Sequence, residues 1–161
     1  MRVETIVIVQ RDSKILLGLK QSEKKFGGKW NGFGGGLEEK ENLEECVIRE
    51  TRKEGGITPK NLNRLGKILF HFLTDEQDHE VHIYRADDYE GVLDTSKDFV
   101  EYKEFSLQEL GGIYNNMMPA DRFWIPYFVS GKIFGGEVYL DKKDGKFILI
   151  SHTIKEIENL D

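Results

Sequence analysis

Two glutamates four residues apart, Glu50 and Glu54, are the strongest candidates for chemistry in this chain. Successive residues of a helix turn by about 100°, so both glutamates would share one stripe with Leu43 and Val47. Because such a stripe should face the core, the two carboxylates would repel each other and lose water there. A divalent cation removes both penalties, and Mg²⁺ binds carboxylate oxygens while keeping waters and substrate phosphates as further ligands.

The helix that carries both glutamates is predicted over residues 43–54. Asn42 can cap its start, with a glutamate three residues on, and Gly55-Gly56 can end it. In a second interpretation, the two glutamates lie at the solvated end of this helix and pair with Arg49 or Lys53. Periodicity alone gives the two interpretations equal weight.

The remaining elements indicate a mixed sheet covered by helices, which is an α/β sandwich. β-Branched and aliphatic residues predict a hairpin of strands at 3–10 and 14–19. A second helix is predicted at 121–130, with Asp121 as its cap and Pro126 as a residue that weakens it. Further strand signals occur at 65–73, 80–86, about 100–105, 137–141 and 147–152.

The composition is that of one globular domain over residues 1–161. A net charge of −6 argues against general binding to DNA, RNA or an anionic membrane, which needs a basic face. Cys46 is the single cysteine, so no disulfide can form within the chain. The apolar runs are too short for a signal peptide or for the roughly 20 residues of a membrane span. We expect a cytoplasmic protein, monomeric or dimeric.

The segment from Gly35 to Ile57 resembles the Nudix box, G-x5-E-x7-R-E-U-x-E-E-x-G-U, in which U is a bulky aliphatic residue. Seven motif positions match over 23 residues, which makes the resemblance specific. The matching residues are Gly35, Glu41, Arg49, Glu50, Glu54, Gly56 and Ile57. Membership of the Nudix family implies an α/β/α sandwich with a mixed sheet between helices.

The resemblance assigns roles to the residues of this segment. Glu54 is expected to be a direct Mg²⁺ ligand, with Mn²⁺ as an alternative metal, and Glu50 a second ligand or a base acting through water. The Gly35 carbonyl is expected to be a backbone ligand. Glu41 and Arg49 are expected to serve catalysis as an ion pair that orients the loop, and not by direct chemistry.

Two positions of the motif depart from the family pattern. Thr51 replaces the usual aliphatic residue, which is a mild change in packing. Lys53 replaces the first glutamate of the usual pair, which should weaken or remove one metal position. Family members often take one further acidic ligand from a later loop or strand. Glu101 lies where that ligand is expected, with Asp98 as the reserve candidate.

Outside the box, the chain is similar to the animal 8-oxo-purine nucleoside triphosphatases of the MutT-like branch. The similarity runs through ILLGLK, KFGGKWNGFGG and the stretch 118–126, in register over nearly the whole chain. In those enzymes a hydrophobic pocket holds the base. The residues that match its lining are Thr5, Lys20, Phe26, Asn31, Phe33, Phe70, Met118, Asp121 and Trp124.

One segment of that pocket is altered, because Met118-Pro119-Ala120-Asp121 stands where Trp-Pro-Asp-Asp is expected. Ala120 loses one base-reading carboxylate, and Met118 loses a stacking indole. The resemblance implies Mg²⁺-dependent hydrolysis of a nucleoside triphosphate, such as 8-oxo-dGTP, to the monophosphate and pyrophosphate. Two alternatives stay open: hydrolysis of another nucleoside diphosphate derivative, and a catalytically weak nucleotide-binding module, which Lys53 favours.

Overall fold

The computed structural model describes residues 1–24, 27–74 and 76–161, which form twelve strands and two α-helices. The strands are β1 (Arg2–Arg11), β2 (Lys14–Lys20), β3 (Trp30–Asn31), β4 (Phe33–Gly36), β5 (Ile57–Lys60), β6 (Asn63–Phe72), β7 (His79–Ala86), β8 (Asp88–Gly91), β9 (Phe99–Ser106), β10 (Phe134–Lys143), β11 (Lys146–His152) and β12 (Lys155–Glu156). The helices are α1 (Leu43–Gly55) and α2 (Asp121–Val129). In the described part of the chain, neither helix has the length and apolar character needed to cross a membrane.

Ten of the strands form one mixed sheet with β1 near its centre. β1 runs parallel to β7 on one side. On its other side, the N-terminal half of β1 pairs with β4 and its C-terminal half with β2, both antiparallel. The path across the sheet is β11-β10-β6-β7-β1-β2-β3, with β12 on β10, β4 on β1 and β9 on β2. With one helix on each face, this confirms the predicted α/β/α sandwich.

Alternation of side chains along β1 divides the core between the two faces of the sheet. Val7 and Val9 point to one face, where they pack with Val47 of α1. Ile8 points to the opposite face, where it shares a buried cluster with Trp124 of α2. We call these the α1 face and the α2 face. Each face therefore has its own buried apolar cluster, and β1 contributes to both.

Helix α1 begins and ends as its sequence predicts. The Asn42 side chain accepts from the Glu45 backbone N–H, and the Glu45 carboxylate accepts from the Asn42 N–H, which is a capping box. Gly56 ends the helix with φ at +72°, in the left-handed region. Thr51 is fully buried and donates its hydroxyl to the Val47 carbonyl at 2.6 Å, so the departure from an aliphatic residue leaves no unsatisfied polar group.

The N-terminus of α2 differs from the prediction. Asp121 is the first helical residue, and Ala120 occupies the cap position without a side-chain cap hydrogen bond. The prediction that Asp121 caps the helix is wrong, because its carboxylate accepts a hydrogen bond from the Trp124 indole at 3.0 Å instead. Pro126 lies on the exposed side of the helix, which continues through it to Val129.

Candidate active site

Glu54 lies on the α1 face with its carboxylate buried against the glycine-rich strand β4. The residue is 7% exposed, and Oε1 accepts a hydrogen bond from the Gly34 N–H at 2.8 Å. Burial raises the pKa of Glu54 to about 7; the Gly34 hydrogen bond and the charge of Lys20 oppose this rise, whereas the charge of Asp98 adds to it. A bound cation would stabilise this carboxylate as the anion.

Glu50 lies one turn before Glu54 and packs against the backbone of Gly35. A Cβ atom at Gly35 would lie 2.4 Å from the Glu50 carboxylate carbon, so any larger residue here would displace the Glu50 carboxylate. Glu50 is 8% exposed, and its Oε1 accepts from Arg49 Nη1 at 2.6 Å. The structure thus brings together Glu50, Glu54 and Gly35, the three main metal ligands that the resemblance implied.

Arg49 connects helix α1 to the loop before it. Its Nε and Nη2 atoms donate to the two carboxylate oxygens of Glu41 at 2.6 and 3.0 Å, and Nη2 also donates to the Gly36 carbonyl at 2.9 Å. These hydrogen bonds lower the pKa of Glu41 to about 2. A bidentate pair of this kind fixes orientation as well as charge. The expected ion pair is present, and its place suggests that it holds the loop and Glu50 together.

The later acidic residue whose charge acts on Glu54 is Asp98, which precedes β9, and not Glu101. In the pairing of β2 with β9, Leu19 faces Glu101 but Lys20 faces Phe99, so Val100 is an extra residue that forms a bulge. Phe99 packs on the α1 face, and alternation then sends Glu101 with Leu19 to the opposite face. The expectation for Glu101 is therefore not supported by its position, whereas Asp98 lies near enough to act on the Glu54 charge.

The donor set at these residues fits a divalent cation that binds together with substrate. Among residues 1–24, 27–74 and 76–161, no three acidic, histidine or cysteine side chains form a preformed metal cluster. What the site offers is two buried carboxylates and a backbone carbonyl, which are the oxygen ligands that Mg²⁺ accepts while it keeps waters and phosphates. Because burial disfavours the charged form of Glu54, a divalent cation bound here would stabilise its carboxylate.

The α2 face contains a cavity of about 120 Å³ that opens between the sheet and α2. Its walls are mostly aliphatic and aromatic, and a flat ring can enter a cavity of this size and character. The apolar residues that line it are Ile6, Ile8, Phe70, Phe72, Val81, Ile83, Met117, Met118, Trp124 and Leu140. Its polar groups come from Glu4, Asn31, His79 and Asp121.

Five residues that the resemblance assigned to a base pocket line this cavity: Asn31, Phe70, Met118, Asp121 and Trp124. Trp124 is almost fully buried, and its indole holds the Asp121 carboxylate. Burial raises the pKa of Asp121 to about 7, against the opposing effect of the Trp124 hydrogen bond. Asp121 is therefore a carboxyl group that can donate or accept a hydrogen bond near neutral pH.

Thr5 and Phe33, two other residues assigned to the pocket, lie on the α1 face. The Thr5 hydroxyl is 3.3 Å from the Cys46 sulfur, and Phe33 packs edge-on against Phe99 with ring centroids 5.4 Å apart. Their assignment to the base pocket is corrected, because alternation along β1 and β4 turns them towards α1. Lys20 also lies away from the cavity, near Glu54. Phe26 lies outside the described residues.

The pocket contains two polar residues that the sequence did not single out, Glu4 and His79. Glu4 shares the α2 face with Ile6 and Ile8 by alternation along β1. A charged residue at an inward position of an otherwise apolar strand was a signal that could have found it. His79 gave no such signal, because its position depends on the parallel pairing of β7 with β1.

One short segment, residues 30–36, joins the cavity to the carboxylates. Asn31 lines the cavity, while Gly34 and Gly35 contact Glu54 and Glu50. This segment is therefore in contact with both parts of the site. The arrangement is suited to a molecule with an apolar ring at one end and anionic groups at the other.

Comparisons with known proteins agree with this geometry. A family model for the NUDIX domain matches residues 1–128. The chain is 34% identical over 157 residues to the oxidized purine nucleoside triphosphate hydrolase of Danio rerio, covering 97% of this chain and 96% of that protein. It is 30% identical over 159 residues to the protein of the same name from Mus musculus, covering 98% and 97%.

Among solved structures, a MutT protein from Bacillus halodurans aligns with a TM-score of 0.81 over 96% of this chain and 97% of that chain. At 21% identity, this match shows a shared fold. The two vertebrate relatives and the family model together confirm the resemblance carried by the box residues. Because the family model covers well over half of the sequence, the chain belongs to the Nudix family of hydrolases.

Proposed function

We propose that this protein hydrolyses an oxidised purine nucleoside triphosphate to the monophosphate and pyrophosphate, with Mg²⁺ as its metal. The observation that carries the proposal is the two-sided site, in which residues 30–36 connect an apolar cavity to the buried carboxylates of Glu50 and Glu54. The vertebrate relatives named oxidized purine nucleoside triphosphate hydrolases support this substrate class.

Each half of the site has a distinct part in the reaction. The base enters the cavity beside Phe70 and Trp124, and Asn31 and Asp121 contact its polar edge. Glu50, Glu54 and the Gly35 carbonyl would hold Mg²⁺, which neutralises phosphate oxygens and lowers the pKa of an attacking water. The protein's own contribution is to place the phosphates and to supply fixed charges around them.

In the part of the site that would hold the metal and the phosphates, Arg49 and Lys20 position the other groups. Arg49 holds Glu50 by one hydrogen bond and Glu41 by two, so Glu50 keeps its place beside Gly35. Lys20 lies near Glu54 and offers a cationic group to the phosphates. Asp98 is the further acidic residue that we propose for this half, in place of Glu101.

Three substitutions relative to similar enzymes favour other candidate functions. Ala120 and Met118 remove groups that read the base in similar enzymes, which favours a different nucleoside diphosphate derivative as substrate. Lys53 is exposed on α1 and would favour a weak hydrolase that binds a nucleotide. In each case we propose a free nucleotide as ligand, a monomeric or dimeric protein, no DNA or RNA partner, and a cytoplasmic location.

The test is product release across a nucleotide panel with Mg²⁺ present. We expect pyrophosphate from 8-oxo-dGTP and 2-oxo-dATP at least about tenfold faster than from dGTP and dATP. Faster cleavage of a dinucleotide or a nucleotide sugar would move the assignment to the second candidate. Tight binding of a nucleotide without any product would support the binding module.

A further inference from the structure

Glu4 and His79 form a carboxylate–imidazole pair in the wall of the α2-face cavity. Glu4 lies on β1, His79 is the first residue of β7, and the His79 Nδ1 atom is in direct contact with Glu4 Oε1. Both residues line the cavity. The second Glu4 oxygen is 3.5 Å from Arg2 Nε, which is a weaker and more exposed contact. The reaction proposed above needs neither Glu4 nor His79.

The pair is held in place by the strands and by an aromatic neighbour. The His79 side chain is 12% exposed, and its ring meets the Phe72 ring edge-on with centroids 5.1 Å apart. Glu4 is 22% exposed, at the end of the row that it forms with Ile6 and Ile8 along the cavity. The Glu4 carboxylate is therefore a fixed acceptor on the sheet side of the cavity, whereas Asp121 enters from α2.

A fixed carboxylate distinguishes rings by the hydrogen-bonding character of the edge that faces it. An ionised carboxylate only accepts hydrogen bonds. The N7 atom of an unmodified purine is also an acceptor, so the two would repel in a desolvated cavity. Oxidation of a purine at C8 places a hydrogen on N7, which turns that atom into a donor.

We propose that Glu4, positioned by His79, is a specificity-determining residue that accepts a hydrogen bond from N7–H of an 8-oxo-purine and disfavours the unmodified purine. The proposal rests on the proposed function, because it assumes that a purine occupies the cavity. Asp121 and Asn31 contact the remaining polar edge of the ring. The pair thus recognises N7, the ring atom that oxidation at C8 changes from a hydrogen-bond acceptor into a donor.

The first test compares binding of 8-oxo-dGMP and dGMP by titration calorimetry in the wild type and in Glu4→Gln. An amide can both donate and accept, so the Glu4→Gln protein can satisfy either form of N7. We expect the ratio of the two dissociation constants to fall by about tenfold or more, the size of effect that a charged hydrogen bond carries. The fall should come mainly from tighter binding of dGMP.

Two matched controls separate this role from a structural one. Glu80→Gln removes a carboxylate that is 3.0 Å from His82 Nε2 and does not line the cavity, and it should leave the ratio unchanged. His79→Gln keeps a donor for Glu4, and it should retain the ratio within about threefold. Equal ratios in the wild type and a folded Glu4→Gln protein would overturn the proposal.

A ligand-side test needs only the wild-type protein, so it does not depend on the folding of any variant. In 7-deaza-dGMP a C–H group replaces the N7 acceptor, so this ligand should bind the wild type more tightly than dGMP does. Equal affinity for the two ligands would contradict the role of Glu4.

Pyrophosphate release from 8-oxo-dGTP, measured in parallel, separates the two proposals. Discrimination that depends on Glu4 without any release would retain the inference and reject the proposed function. Release without such discrimination would do the reverse.

Discussion

The α1 face and the α2 face of the sheet share the central strand β1 but differ in how their polar groups are arranged. On the α1 face, charged side chains are close together, buried, and fixed by backbone groups and by Arg49. On the α2 face, a few hydrogen-bonding groups are spread around an apolar cavity. The first arrangement suits a polyphosphate with a cation, and the second suits a flat ring whose polar edges must be distinguished.

The two faces also differ in how their residues are collected along the chain. On the α1 face, Glu50, Glu54, Arg49 and the glycines that contact them all come from residues 34–54, whereas Asp98 and Lys20 join them from elsewhere in the chain. The cavity takes residues from β1, β3, β6, β7, β10 and α2, which span most of the chain. The main hydrolytic residues are thus close together in sequence, whereas the cavity residues meet only in the folded protein. We therefore expect that hydrolysis and nucleotide selectivity can be altered separately.

The largest expected effect comes from Glu54→Gln. We expect turnover of 8-oxo-dGTP to fall by at least about a thousandfold, because a ligand that stabilises charge at the phosphates is lost. Binding of 8-oxo-dGMP without metal should change by less than about threefold, because the cavity is on the other face. Stopped assays of pyrophosphate and calorimetry measure the two quantities.

The matched control for that variant is Glu44→Gln, which changes an acidic residue in the exposed first turn of α1. It should retain wild-type turnover. If Glu54→Gln weakens product binding as much as it slows turnover, the two faces do not act separately. Full activity of that variant would show that Glu54 is not a metal ligand.

A second, smaller effect concerns stability and the α2 face. Burial raises the pKa of Asp121 from 3.8 to about 7, so between these values the folded protein holds a proton that the unfolded chain releases. The free energy of unfolding should therefore fall as pH rises from about 4 to about 7, and level off above that. The full shift corresponds to about 4 kcal/mol, and because Asp121 is only half-buried we expect about 2 kcal/mol.

Asp121→Asn removes this titration while it keeps an acceptor for the Trp124 indole. Urea unfolding from pH 4 to pH 8 should give curves for the wild type and this variant that diverge with rising pH, the variant becoming relatively more stable. Parallel curves would show that the cavity does not raise the pKa of Asp121, and they would weaken the contrast between the mostly apolar cavity and the charged α1 face.

The smallest effect is expected from Lys53→Glu. Lys53 is exposed on α1 and stands where the family motif has a glutamate, so the variant adds a carboxylate near the metal-binding residues. We expect kcat to rise by about threefold to tenfold at saturating Mg²⁺. Arg52→Glu makes the same change of charge at the neighbouring exposed residue and should not raise it. An unchanged rate in Lys53→Glu would show that lysine does not limit metal binding.

The helix of the α1 face was predictable because its determinants are neighbours in sequence. Asn42 and Glu45 form the capping box that their spacing indicated, and Gly56 ends the helix. The contact between Glu41 and Arg49 also follows from a motif of fixed spacing. What spacing could not decide was whether the glutamates face solvent or the sheet, and their burial settles that question in favour of the sheet.

The later ligand and the cavity were harder to predict, because they depend on strand register. Regular alternation along β9 places Glu101 on the face of Phe105, away from Glu54, and the bulge at Val100 turns Phe99 to the α1 face. The charge of Asp98, the residue before Phe99, acts on Glu54. Alternation shows which residues share a face, but it does not say which face is which, so it could not test the pocket assignment that the resemblance implies for Thr5. The pairing of His79 with Glu4 requires two strands more than 70 residues apart to lie in parallel register.

The two-sided use of β1 has a consequence for how such a protein can diverge. Side chains 4, 6 and 8 line the cavity and face away from α1, so substitutions there can change the preferred nucleotide of a gene duplicate without replacing a residue of the hydrolytic site. An inserted codon within the same strand would exchange the two sets of side chains between faces and destroy both at once. β1 can therefore gain new specificity by substitution, but it does not tolerate insertions or deletions.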